Sequence, residues 1–107
     1  MKSELIKKII KFSEDRNWNQ FHSLGNLAKS ISIEANELLE LFQWDNENVK
    51  DLESAKEELA DVLIYCVLFA NKINVDIDEI VEKKLSKNEE KYPIDKSYGN
   101  SKKYNEF

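Results

Sequence analysis

Apolar residues recur at helical spacing along most of the chain. From Lys2 to about Arg16 they form a stripe with a period near 3.6 residues, which predicts a first helix. The segment 17–22 interrupts this pattern with large aromatic residues in a polar setting, and we interpret it as a loop. Ser23 belongs to the residue types that cap helices, so we expect a second helix from Leu24 to about Gln43.

The second half of the chain continues this pattern. A polar connector over 45–48 precedes a third helix, which we predict from about Val49 to Lys72. A fourth helix is predicted from about Ile77 to Lys91. It ends before Pro93, because the residue that precedes a proline tends to leave the helical conformation. Residues 94–107 are polar and weakly patterned, which predicts an extended or partly disordered tail.

Four helices with short connectors predict an all-α fold. We expect a four-helix bundle over residues 1–93 and a polar C-terminal tail over 94–107. Only two glycines and one proline interrupt a chain rich in helix-forming residues. The third helix is apolar all round from Val62 to Ala70, which is more apolar surface than one small bundle covers. We therefore expect a homo-oligomer, either a dimer or a tetramer.

Charge and composition narrow the classes of function. The formal net charge of −5 argues against a general binder of nucleic-acid polymers. The apolar run in the third helix is too short to span a membrane, so no membrane partner is expected. The charges near the N-terminus are too closely spaced for a signal peptide, which predicts a cytoplasmic location. The single cysteine, Cys66, is interpreted as a buried and inert thiol.

Two pairs of acidic residues lie on or beside the apolar faces of different helices. Glu58 and Asp61 are three positions apart on the third helix, on the face that continues through apolar residues. Glu34 and Glu37 have the same spacing on the second helix and lie within or beside its apolar stripe. Burying a carboxylate is costly unless a cation meets it. The sequence therefore predicts that something positive joins these four side chains.

If the two helices are neighbours, the four carboxylates converge. Like charges at short distance raise one another's pKa, and a divalent cation removes the conflict. Ligands that are all oxygen favour Mg²⁺ or Mn²⁺ over zinc or copper, and Mg²⁺ often bridges to phosphates. This chemistry predicts a site that hydrolyses a phosphate ester or anhydride. The other interpretation is that the acids are half-exposed and pair with lysines. A di-iron bundle fits poorly, because the only histidine lies in the predicted loop.

The acidic motif also resembles that of a known family. Glu34-x-x-Glu37 followed by Glu58-x-x-Asp61 is similar to the signature of the MazG-like nucleotide pyrophosphohydrolases, the all-α NTP pyrophosphatases. The resemblance spans almost the whole chain and is closest to the branch of small dCTP pyrophosphatases. The segments that carry it are Arg16-x-Trp18-x-Gln20-Phe21-His22, Glu37-Leu38-x-Glu40-Leu41-Phe42-Gln43-Trp44, Glu57-Glu58-Leu59-x-Asp61-Val62-Leu63-Ile64-Tyr65, Lys84-x-x-x-Asn88-x-x-x-Tyr92-Pro93 and Lys103-Tyr104.

The resemblance implies a homo-oligomeric helical bundle that uses Mg²⁺, or Mn²⁺, to hydrolyse a nucleoside triphosphate. The products would be the monophosphate and pyrophosphate, with dCTP or a related pyrimidine nucleotide favoured. It implies that the catalytic and metal-binding residues are Glu34, Glu37, Glu58 and Asp61. It implies that the nucleotide-binding residues are Trp18, His22, Trp44, Tyr65, Lys84 and Asn88. The chain departs from the family at Ile9, where animal members have a histidine near the base.

The residues taken alone leave several roles open. Each tryptophan either stacks on a base or belongs to the core. His22 either contacts the base or caps the loop, and Tyr65 either orients a polar group in the site or is a core tyrosine. Lys84 and Asn88 either bind phosphates or belong to a solvated face. For the whole chain, the alternative to an enzyme is a non-enzymatic, oligomeric helical interaction module whose acids bind a structural metal or a basic partner.

Overall fold

The computed structural model describes residues 1–47 and 51–106, and these residues are helical or lie in turns and short connections, without a strand. The predicted all-α class is confirmed. The helices are α1 (Ser3–Asp15), α2 (Leu24–Glu40), α3 (Leu52–Lys72), α4 (Ile77–Lys91) and the short α5 (Ile94–Ser97), with 3₁₀ turns at Trp18–Phe21 and Tyr104–Glu106.

Side-chain caps explain where three of the helices begin. The Ser23 hydroxyl accepts a hydrogen bond from the backbone N–H of Asn26 at 3.1 Å, as its sequence position predicted for α2. Asp51 caps α3 in the same way, through the backbone N–H groups of the second and third residues of the helix. Asp76 caps α4. The predicted start of the third helix at Val49 lies outside the described residues.

The second helix ends earlier than the sequence predicted. It stops at Glu40, and residues 41–43 form a tighter turn in which each backbone N–H donates to the carbonyl three residues before it. Apolar periodicity continues through this turn, so the pattern alone did not separate it from the helix. The predicted loop over 17–22 also contains a 3₁₀ turn, which follows Asn17 in the left-handed conformation.

The described chain forms two compact units, one up to Val75 and one from Asp76 onward. In the first unit α2 packs mainly on α3, and α1 packs on α3. The pair α2 and α3 is antiparallel, because Glu37 lies beside Glu58 while Leu27, earlier in α2, lines the same cavity as Leu68, later in α3. The buried residues of this unit are Ser13, Leu27, Val67, Leu68 and Ala70.

The apolar half of α3 is buried on one side only. Val67 and Leu68 are buried, whereas Leu63 remains 44% exposed and Ile64 is also exposed. Cys66 is half-buried, and burial raises the pKa of its thiol, as expected of an unreactive cysteine. Over the described residues, no helix combines the length and the hydropathy that a membrane span needs.

The second unit contains α4, α5 and the C-terminal turn. The rings of Tyr92 and Tyr104 meet edge to face with centroids 6.2 Å apart, and the Lys91 ammonium lies 4.9 Å from the centroid of the Tyr104 ring. These contacts fold the chain back on the end of α4, so the expected extended tail is instead a short helix and a turn. The division between a domain over 1–93 and a tail over 94–107 stays a prediction.

Candidate active site

Three of the four predicted acids come together where α2 and α3 pack against each other. One carboxylate oxygen from each of Glu34, Glu37 and Glu58 lies within 4.8 Å of the others. Glu34 and Glu58 are half-buried, and Glu37 is exposed. The i, i+3 spacing on α2 places its two acids on one helical face, and the antiparallel packing sets that face against Glu58. We call these three residues the acid cluster.

Two carboxyl groups of the acid cluster, those of Glu34 and Glu58, have raised pKa values. Burial, a hydrogen bond with Glu37, and the negative charges of neighbouring acids together raise the pKa of Glu34 from 4.5 to about 7. The pKa of Glu58 is also raised, first by its hydrogen bond with Glu37 and then by burial and nearby charge. The cluster therefore has a high affinity for positive charge, whether a proton or a metal ion.

One oxygen of the acid cluster has no partner. Oε2 of Glu58 is buried and accepts no hydrogen bond in the described part of the chain. A buried carboxylate oxygen without a partner is unusual in a folded protein. Three carboxylates that converge with a free oxygen fit a hard divalent cation such as Mg²⁺ or Mn²⁺. The residues present could therefore hold such an ion.

Asp61 connects the acid cluster with a neighbouring cavity. Its charge contributes to the raised pKa of Glu34, so the two side chains are close enough to interact. Asp61 also lines a cavity of about 350 Å³, a volume in the range of small-molecule sites, roughly 300–1,000 Å³. Side chains from α1, the turn after it, and α3 form the wall. They are Lys8, Ile9, Phe12, Ser13, Trp18, His22, Asp61, Ile64, Tyr65 and Leu68.

Three of the predicted nucleotide-binding residues lie in this cavity wall. Trp18 contributes from the 3₁₀ turn, His22 from the residue after the turn, and Tyr65 from α3. The rings of His22 and Tyr65 meet edge to face with centroids 6.5 Å apart. Each of these rings therefore presents part of its surface to the cavity. A purely structural role, as a loop cap for His22 or as a core residue for Trp18 and Tyr65, does not require this.

The other predicted nucleotide-binding residues do not line this cavity. Trp44 lies just beyond the turn after α2 and is 89% exposed. Lys84 and Asn88 lie one turn apart on α4, in the second unit, with Lys84 exposed and Asn88 half-buried. Contacts between these three residues and a nucleotide stay predictions.

Sequence reasoning missed most of the apolar cavity wall. Phe12 and Ser13 on α1, and Ile64 and Leu68 on α3, lie in stretches that the apolar pattern assigns only to helices. Periodicity shows which face of a helix is apolar but not whether that face meets a cavity or the core. Ile9 also lines the cavity, at the position where the resemblance indicated a departure near the base.

Comparison with known proteins places the chain in a family. The model of the MazG-like family matches residues 29–107. The chain is 36% identical to dCTP pyrophosphatase 1 of Mus musculus and of Homo sapiens over 104 residues, which are 90% of this chain and 61% of each relative. It thus spans about three fifths of the length of these curated relatives.

A solved structure shows the same likeness. A crystal structure of a pyrophosphatase from Archaeoglobus fulgidus matches with a TM-score of 0.76 and 40% sequence identity, over 84% of this chain and 90% of that one. The resemblance predicted from the acidic motif and the aromatic residues is confirmed. By the family model, by sequence identity and by fold, this chain belongs to the MazG-like family.

Proposed function

We propose that this chain is a Mg²⁺-dependent nucleoside triphosphate pyrophosphohydrolase. It converts a dNTP, with dCTP or a related pyrimidine nucleotide preferred, to the monophosphate and pyrophosphate. The observation that carries the proposal is that Asp61 belongs to both features of the site: it lines the aromatic cavity, and its charge raises the pKa of Glu34. A nucleobase in the cavity would hold its phosphates near the acid cluster. The names of the related proteins from mouse and Archaeoglobus support this assignment.

The acidic residues would hold the metal ion. Glu34, Glu37 and Glu58 supply oxygen ligands that already converge, and Asp61 would join them from the cavity side. When bound, Mg²⁺ or Mn²⁺ supplies the positive charge that neutralises the triphosphate and lowers the pKa of the attacking water. The unpartnered Oε2 of Glu58 would gain a partner if such an ion were held here.

The proton of the attacking water passes to a carboxylate of the cluster. Glu34 or Glu37 would orient the water for attack on the α-phosphorus, where a P–O bond to the water oxygen forms as the P–O bond to the leaving pyrophosphate breaks. A carboxylate that has released its own proton on metal binding would be able to accept one from this water. The second oxygen of the accepting carboxylate would remain available to hold the metal.

The cavity would bind the nucleobase. Its walls are largely apolar, and Trp18 offers a flat surface for stacking, an interaction worth about 1–3 kcal/mol for any base. His22 and Tyr65 carry the polar atoms on the aromatic wall that can contact the edge of a base or a sugar hydroxyl. Stacking on Trp18 strengthens the binding of every base, so selectivity for one base depends on these edge contacts.

A substrate screen tests the proposal. Purified protein is incubated with each common dNTP and NTP in Mg²⁺ while pyrophosphate is measured and the monophosphate is identified. We expect release of pyrophosphate, with the pyrimidine deoxynucleotides hydrolysed fastest. If no nucleotide is turned over in Mg²⁺ or Mn²⁺, the enzyme proposal is wrong and the non-enzymatic interaction module takes its place.

Matched substitutions on α2 test the role of the acid cluster. Glu37→Gln keeps the shape of the side chain but removes its charge, and we expect kcat/KM to fall about 100-fold or more. Glu40→Gln is the control, because Glu40 is exposed on the same helix and does not belong to the cluster. If both variants hydrolyse the preferred nucleotide at the wild-type rate, the acid cluster does not carry the reaction.

A further inference from the structure

The side chain of Arg16 folds back over the end of α1. Its guanidinium carbon lies 3.6 Å from the centroid of the Phe12 ring. Its Nη1 atom donates a hydrogen bond to the backbone carbonyl of Phe12 at 3.0 Å. Stacking and a directed hydrogen bond act together here, a combination that the planar guanidinium makes and a lysine ammonium does not.

The Phe12 ring also meets Trp18. The two rings contact edge to face, with centroids 5.6 Å apart and an interplanar angle of 77°. Both rings line the cavity, whereas Arg16 does not. Arg16 therefore lies behind the aromatic wall, and its contact with that wall is made through Phe12.

This wall needs support because core packing does not enclose it. Phe12 is 49% exposed, and Trp18 is also exposed. A partly exposed aromatic ring has several side-chain rotamers available, and restricting them costs free energy when a ligand binds. The backbone on the Trp18 side is held by a hydrogen bond from the Gln20 amide to the carbonyl of Asn17 at 3.0 Å. On the Phe12 side, the restraint comes from Arg16.

We propose that Arg16 is a positioning residue for the nucleobase, which it influences by holding Phe12 in place against Trp18. The inference rests on the proposed function, because it takes the cavity to be the nucleobase site. It gives the Arg16-x-Trp18 segment a physical role: the arginine fixes one ring of the wall and the tryptophan supplies the other. Preorganisation of this kind improves affinity by reducing the entropy lost on binding.

Binding of dCMP tests the inference without requiring turnover. The dissociation constant is measured by calorimetry for the wild type and for Arg16→Met. We expect Arg16→Met to bind dCMP about three- to tenfold more weakly, the effect of losing one stacked cation. Lys11→Met is the matched control, because Lys11 is an exposed cation of the same helix, lies outside the cavity wall and pairs with Asp15 at 2.9 Å. Its affinity for dCMP should equal that of the wild type.

A double-mutant cycle with Phe12→Leu separates positioning from a general effect on the fold. If Arg16 acts through Phe12, Arg16→Met has no further effect on dCMP binding once Phe12→Leu is present. If Arg16→Met unfolds, Arg16→Lys, which keeps the charge but not the planar stacking, replaces it in the cycle.

Three outcomes would overturn the inference. In the first, Arg16→Met binds dCMP with wild-type affinity. In the second, Arg16→Met loses as much affinity in the Phe12→Leu background as in the wild type. In the third, the wild type does not bind dCMP. The proposed function fails on a different result, the absence of dNTP hydrolysis in the substrate screen, so the two failures are distinguishable.

Discussion

At the scale of single residues, Glu34 is the most informative side chain of the protein. Burial, the hydrogen bond with Glu37 and the charges of the neighbouring acids on α2 and α3 raise the pKa of its carboxyl group from 4.5 to about 7. A group in that position binds a proton when no metal is present and releases it when a metal arrives. Proton binding and metal binding at this site are therefore competing ways to neutralise the same cluster.

The raised pKa of Glu34 predicts how the stability of the folded chain depends on pH. Because the folded-state pKa of Glu34 lies above its ordinary value, the folded chain binds the proton more tightly than the unfolded chain. The stabilisation is complete below the ordinary pKa of 4.5 and is lost as the pH rises through about 7. We expect the Tm of the wild type in EDTA to fall over this window more steeply than that of Glu34→Gln.

Metal provides the control for this measurement. At a pH above the window, Mg²⁺ should raise the Tm of the wild type, because the ionised cluster binds the cation. Glu34→Gln should respond less to Mg²⁺. Parallel Tm profiles for the two proteins in EDTA would show that the titration of Glu34 does not contribute to stability.

At the scale of elements, the cap of α2 determines where the helix begins, and the helix determines which face carries its acidic residues. The cap at Ser23 fixes the first residue of α2, and the helix then carries Glu34 and Glu37 to the face that meets α3. The sequence predicted this cap correctly, because a cap depends on residues only a few positions apart. It overestimated the length of α2, because a tight turn and a helix share the same apolar spacing.

Removing the cap of α2 should cost stability. Ser23→Ala leaves the backbone N–H of Asn26 without its side-chain acceptor, and we expect the free energy of unfolding to fall by about 1 kcal/mol. Urea unfolding followed by circular dichroism measures the change. The matched control is Ser32→Ala, an exposed interior position of the same helix, where alanine is the better helix former. An equal effect of the two substitutions would mean that the cap does not stabilise the helix.

At the scale of the whole molecule, the exposed side of α3 is the main unexplained surface. Leu59 and Leu63 are exposed and lie one turn apart on the helix, and neither lines the aromatic cavity. Isolated exposed apolar residues are ordinary, but a continuous apolar helix face is typical of a protein interface. We propose that a second copy of the chain covers this face, in agreement with the homo-oligomer that the sequence predicted.

A charge on this face tests the proposal. Leu63→Lys places an ammonium in the expected interface, and desolvating it without a partner is costly, so the oligomer should dissociate. Size-exclusion chromatography with light scattering measures the mass of the assembly. Glu40→Lys is the control, because it adds the same side chain at an exposed position of α2. If the Leu63→Lys variant elutes with the mass of the wild-type oligomer, the interface lies elsewhere.

Local rules allowed the sequence by itself to determine the helices, the caps and the acidic pairs. Helical periodicity identified the apolar faces, Ser23 located the start of α2, and the spacing of Glu34 and Glu37 placed them on one face. These features depend on neighbours within a few positions in the chain, which is why they could be predicted from the sequence. The resemblance to the MazG-like family rested on the acidic pairs together with segments spread along most of the chain.

Only the tertiary structure decided which faces meet. The antiparallel packing of α2 and α3 brings Glu58 to Glu34 and Glu37, and contacts of this kind depend on residues that lie far apart in the chain. Asp61 lines the cavity between α1 and α3 and does not belong to the three-residue cluster. The cavity itself is space left between helices, and no pattern of residues encodes it directly. For this reason, Phe12 and its support by Arg16 emerged from the structure alone.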